Sequence, residues 1–286
     1  MNYKYRPIRF YLVTFGFTWL FWITAAFISR RESGSDISFL LMALGLFVPA
    51  VTSMVTVFTS KSPALKRDLR RKLVDAFNIK PAVAIGSAVL FAITIAVSIL
   101  LSSFFGQSLN QFAFEEDFSF SIGGMSTLLL LVVVAFLEEL GWRGYAEDAI
   151  ASYMSWWRES LVFGVVWSLW HLPLFFIIDT YQWGILQKSP WYMANFFVSI
   201  IPLSVLFTWV YVKNNRSILA CMLFHLTVNL LQERIAMTDT TKCVQTFVLF
   251  VVAGVIVLMN KELYFGTKHI GNLLPKQPGV NPKISP

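Results

Sequence analysis

The sequence predicts an all-α, polytopic membrane protein, and three observations carry that reading. Of its 286 residues, 56% are hydrophobic and only 14% are charged, whereas soluble domains carry about 25% charged residues. Mean hydropathy is strongly positive, at +0.64. The apolar residues also gather into eight segments, near 8–29, 37–59, 82–105, 121–141, 160–178, 192–212, 217–234 and 243–259, most of them close to the ~20 residues that cross a bilayer.

Taken in order, the first segment is too long for the apolar core of a signal peptide and lacks a cleavage site, so it reads as a retained helix. Between the second and third, Ser62-Pro63 reads as an N-cap followed by a first-turn proline. Leu65, Leu69, Leu73 and Phe77 then recur every fourth residue, with Lys66, Arg67, Arg70 and Arg71 between them. That pattern predicts a basic amphipathic helix over about 63–79 lying on the membrane surface. Glu115-Glu116-Asp117 reads as a solvated loop. The fourth segment has ten unbroken apolar residues, Leu128 to Leu137, so it spans only if Ser121 to Thr127 and the following Glu138-Glu139 also lie at membrane depth. In the fifth, Pro173 removes a backbone donor and should bend or open the helix beside His171. The seventh is short. Residues 271–286 hold four prolines and no apolar run, the composition of a flexible tail, and His269 beside them is expected to be solvated. The expected organisation is one helical domain over 1–270.

Lys and Arg set the orientation. With the amino terminus in the cytoplasm and eight spans, the inside segments hold 18 of them and the outside segments five, a bias that places both termini in the cytoplasm. The membrane is then the cell membrane, or the endoplasmic reticulum in a eukaryote, with lipids as constant neighbours. The net charge of +7 belongs to orientation. No aromatic-interleaved basic pattern points to nucleic acid, and Cys221 and Cys243, in or beside apolar helices, form no disulfide framework. There is no internal repeat, Gly-rich phosphate loop, Cys-pair metal motif or HExxH.

Chemistry is concentrated in a few polar groups at membrane depth, where an ionised side chain costs several kcal/mol unless paired or solvated. Residues four apart share a helix face and adjacent ones do not, so Glu139 pairs with Arg143 while Glu138 has Trp142 four residues on and faces a cavity as an available base. His171 follows Trp167 by four. His225 and Asn229 share a face and suit convergence on one oxygen atom. Counting ~1.5 Å per residue from the segment ends lets Glu138, His171 and His225 meet in the cytoplasmic half of the membrane, in a polar cavity opening to that side.

At these residues the chain resembles a known family. Glu138-Glu139-Leu140-Gly141-Trp142-Arg143-Gly144 is similar to an E-E-x-x-x-R motif, Trp167 to Pro173 to an aromatic-x-x-x-His motif, and His225-Leu226-Thr227-Val228-Asn229 to an H-x-x-x-N/D motif. Their order and spacing resemble the CAAX protease and bacteriocin-processing group of intramembrane proteases, which includes the type II CAAX prenyl endopeptidases. Trp167 stands where phenylalanine is frequent. The resemblance implies a catalytic core over about 121–234 and cleavage after a prenylated cysteine near a protein or peptide C-terminus. It further implies water activation by Glu138 and His171, an oxyanion hole from His225 and Asn229, and supporting roles for Glu139 and Arg143, with no cofactor.

Three alternatives remain at this stage. Glu138, His171 and His225 would also make a three-ligand zinc site with an open position, although Asn229 is a poor zinc ligand. A non-proteolytic immunity or adaptor protein would keep the same fold. A proton-coupled transporter also uses buried Glu and His, but it is expected to show repeated halves, and none is visible.

Overall fold

The computed structural model describes residues 3–31, 34–74, 79–115 and 126–274. Its helices are α1 (Pro7–Ile28), α2 (Ser35–Thr59), α3 (Pro63–Val74), α4 (Pro81–Ser102), α5 (Thr127–Gly141), α6 (Glu147–Ala151), α7 (Trp156–Trp170), α8 (Tyr181–Lys188), α9 (Pro190–Lys213), α10 (Ile218–Arg234), α11 (Asp239–Met259) and α12 (Lys261–Phe265). Among the described residues the only β pairing is an isolated bridge between Phe114 and Ile235. The protein is an all-α integral membrane protein. Among the described residues six helices are long and apolar enough to span: α1, α2, α4 with the turn after it, α7 with the turn after it, α9 and α11. The shorter α5 and α10, with 15 and 17 residues, correspond to the fourth and seventh apolar segments. Residues 121–125, the start expected for the fourth, lie outside the described residues, as do 75–78 at the end of the expected amphipathic helix.

α1 packs on α2, α2 on α5, α5 on α10, and α10 on α4 and α9, while α7 and α11 flank α9. Leu12, Leu20 and Phe27 of α1, like Ile85 and Ile93 of α4, remain exposed, as lipid-facing side chains must in a bilayer, where only the backbone needs internal satisfaction. Close approach of α2 and α5 requires small residues: a Cβ on Gly141 would sit 2.5 Å from Pro49 Cβ and 3.0 Å from the Ala50 nitrogen. Small side chains at helix contacts in membranes serve this purpose.

The two ends of the bundle differ. At one end lie both ends of the described chain: Tyr3 meets Tyr145 (2.9 Å), the Arg6 amide donates to Tyr145 Oη (3.0 Å), and Arg216 donates to the Leu273 carbonyl (2.6 Å). The α1–α2 and α10–α11 connections and α8 are at the other. Residues 275–286 of the expected flexible tail lie outside the described residues. His269, expected to be solvated, instead stacks on Trp156 at 4.9 Å and is half-buried, with Nε2 donating to the Met154 carbonyl (3.0 Å).

The basic helix keeps its amphipathic pattern but seats on protein. Ser62 caps it through the Leu65 amide (3.3 Å). Leu65 and Leu69 are buried, and so are Asp68 and Lys72 on the same face, while Lys66, Arg67 and Arg70 point outward.

Candidate active site

α5 ends in a change of helical pitch. From Trp142 to Ala146 the chain forms one π-helical turn before continuing as α6, and such wide turns occur mostly where a side chain must be re-aimed at a functional site. Glu139, Arg143 and Glu147, each four apart, line one wholly buried face. Arg143 Nη1 lies 2.8 Å from Glu139 Oε2, and its Nε lies 2.8 Å from Glu147 Oε2. The guanidinium sits over the rings of Phe163 and Phe207, at 5.0 and 4.6 Å. The expected Glu139–Arg143 pair is present.

One turn further along, Asp148 accepts from Lys72 of α3 and from Arg216 (2.6 Å), and Tyr211 donates to it (3.1 Å). Asp68 joins by pairing with both cations. Lys72 also donates to the Arg143 carbonyl (2.9 Å), a backbone group that the π turn makes available. The result is a paired ionic plug under the motif.

Glu138 faces the other way. Its Oε2 accepts the indole N–H of Trp167 (3.0 Å) and Trp142 (3.3 Å), and Oε1 has no hydrogen-bond partner among the described residues. The carboxylate lines a cavity of about 1060 Å³ that also reaches His171, His225 and Asn229. The structure thus brings together all four residues singled out in the sequence.

α7 stops at Trp170, and a 3₁₀ turn, Leu172–Phe176, follows with Pro173 inside it. This is the opening expected beside the histidine. Where the helix ends, the Trp170 carbonyl accepts Trp19 Nε1 (3.3 Å). His171 Nδ1 lies 2.8 Å from the Trp167 carbonyl. A carbonyl only accepts, so Nδ1 carries the proton and Nε2 of the neutral ring holds a lone pair. His225 is held through Nδ1 at 2.8 Å from Glu139 Oε1. With Nδ1 engaged by that carboxylate, Nε2 is the ring nitrogen left for the cavity that His225 lines.

The cavity extends from Phe91, Glu138, Trp167 and Phe207 to Asp36, Asp179, Asp239 and Lys242 in its upper wall. Those upper residues belong to the end of the bundle opposite the ends of the described chain. The estimate of depth went astray at α7, which begins at Trp156, four residues before the expected segment, so His171 lies about 22 Å along it. Glu147, Asp148, Lys72 and Arg216 were not singled out. The four-residue steps from Arg143 to Glu147 and from Asp68 to Lys72 were visible signals for three members of the network; nothing local marks Arg216.

A family model described as type II CAAX prenyl endopeptidase, Rce1-like, matches residues 121–231. A curated relative, CAAX prenyl protease 2 of Methanococcus maripaludis, is 42% identical over 267 residues, covering 92% of this chain and 97% of that protein. The chain belongs to the type II CAAX prenyl endopeptidase family. It is an integral membrane protease, and the matched span holds Glu138, His171, His225 and Asn229. For this endopeptidase family member, the adaptor and transporter alternatives give way to hydrolysis.

Proposed function

We propose that the protein hydrolyses the peptide bond after a prenylated cysteine near a substrate's C-terminus, using a water activated by Glu138 and His171. The observation that carries the reading is the pairing of two bases with free valences on one cavity: Glu138 Oε1, and the Nε2 lone pair that the Trp167 carbonyl leaves on His171. Two indole donors support the Glu138 anion in a water-poor setting.

The water proton passes to Glu138 as oxygen attacks the scissile carbonyl. His225 Nε2–H and the Asn229 amide, four residues apart on α10, donate to the developing oxyanion, a contribution worth about 3–4 kcal/mol per donor in such sites. Collapse of the tetrahedral intermediate breaks the C–N bond, and the proton held by Glu138 goes to the departing amine. His171 orients the water. No covalent enzyme intermediate forms. The apolar wall of Leu46, Leu130, Leu131 and Val134 beside Glu138 suits an isoprenoid chain.

The chemistry needs no metal. Among the described residues no three His, Cys, Asp or Glu side chains are grouped to hold one, which supports the metal-free reading. The test is hydrolysis of a prenylated tetrapeptide by purified protein after exhaustive chelation. Release of a tripeptide that persists in chelator supports the reading; activity lost in chelator and restored by zinc would assign Glu138, His171 and His225 as ligands instead. Equal cleavage of prenylated and unprenylated peptides would remove the prenyl requirement.

A further inference from the structure

We propose that Lys242 binds the free C-terminal carboxylate of the substrate and so sets which peptide bond lies over Glu138. The inference rests on the proposed cleavage near a C-terminus, a site that leaves a short peptide with an ionised end inside the cavity. Lys242 is the basic side chain among the described residues that line the cavity. It forms no salt bridge among those residues. Its Nζ instead meets Tyr181 Oη at 3.2 Å and lies 4.7 Å from the ring centroid. The acid one turn earlier on α11, Asp239, is already engaged by Lys188 at 2.7 Å. Asp36 and Asp179 also line the upper wall and repel an incoming carboxylate, so Lys242 is the one Lys or Arg among the described lining residues that offers it a cation away from the reacting groups.

The axial offset is compatible with the same assignment. A hydrogen bond from Gln232 to Gln245 (2.8 Å) joins α10 to α11. Asn229 precedes Gln232 by three residues and Lys242 precedes Gln245 by three, which on oppositely directed helices is an axial offset of about 9 Å at 1.5 Å per residue. Three extended residues reach about 10 Å. The Asn195 amide donates to the Lys242 carbonyl (3.4 Å), which ties this turn of α11 to α9 and keeps the cation in place.

The experiment measures binding and turnover separately. An S-farnesyl tetrapeptide is prepared as the free acid and as the C-terminal amide, and each is titrated against full-length Glu138→Gln in detergent, alone and with Lys242→Met or Lys242→Arg. The acid should bind on the order of 10- to 100-fold more tightly than the amide, the range of a charge-assisted contact. Lys242→Met should abolish that preference without weakening amide binding, and Lys242→Arg should retain most of it. A preference that survives Lys242→Met overturns the anchor. Turnover by the unsubstituted protein is followed in parallel: its absence, with a Lys242-dependent preference intact, overturns the hydrolytic reading alone. Failure of both peptides to bind, together with absent turnover, overturns both.

Discussion

Polar groups are buried on both sides of the π turn, but the two sides use them differently. Below it, Arg143, Glu147, Asp148, Lys72, Asp68 and Arg216 lie against opposite charges, and a phenolic hydroxyl and backbone carbonyls take part. Above it, Glu138 and His171 are each held on one side only and, with Asn229, line the cavity. Matched charges in a water-poor interior hold a shape, because removing one partner leaves the other unsolvated. Partly satisfied groups retain reactivity. Glu138 and Glu139 show how finely the line is drawn, since adjacent residues on one helix fall on opposite sides of it.

The sharpest way to break the comparison is at Glu138. Glu138→Gln should lower kcat on the order of 1000- to 10,000-fold, the range of a lost general base, with elution and thermal stability unchanged; retained turnover would move the base to Glu139. Arg143→Met attacks the other side. It strands Glu139 and Glu147, and the expected loss of about 3–5 kcal/mol should appear as a large drop in thermal stability in detergent, partly recovered by adding Glu147→Gln. Normal stability of the single variant would show that the plug is not structural. Asn229→Ala should reduce kcat on the order of 100- to 1000-fold with KM nearly unchanged; a change confined to KM would make Asn229 a binding residue. Trp167→Phe removes one of two donors to Glu138 while keeping the ring, and kcat should fall on the order of 10-fold, as expected for one hydrogen bond to a charged group.

The smallest effect belongs to His269. Burial against Trp156 pushes its pKa below the usual histidine value, so the neutral ring contributes stability above that value and loses it as pH falls through the usual value toward the folded one. Melting curves from pH 7.5 to 5 should show a slightly steeper decline than in His269→Phe. Parallel curves would remove the contribution.

Most of the architecture was legible because each apolar segment is long, and the fourth and seventh fit poorly for a physical reason: α5 and α10 carry the polar residues. The motif spacing correctly separated Glu138 from Glu139, since a 100° step per residue survives until the π turn. The turn itself left no local mark, and Trp142 to Ala146 reads as ordinary helix. The depth of His171 was misjudged because helix starts are poorly marked, and four residues at α7 displace it by a whole turn. The plug was hidden for another reason. Lys72 and Arg216 meet Asp148 from 76 and 68 residues away, and helical periodicity carries no information over such separations.

The packing of both chain ends against the plug has a practical side. Tyr3 and Arg6 meet Tyr145 inside the π turn, and the Leu273 carbonyl receives Arg216, so the first and last described residues are tied to the plug. Changes at Tyr3, Arg6 or Leu273 therefore reach the residues that hold the reaction floor, although all three lie outside the cavity.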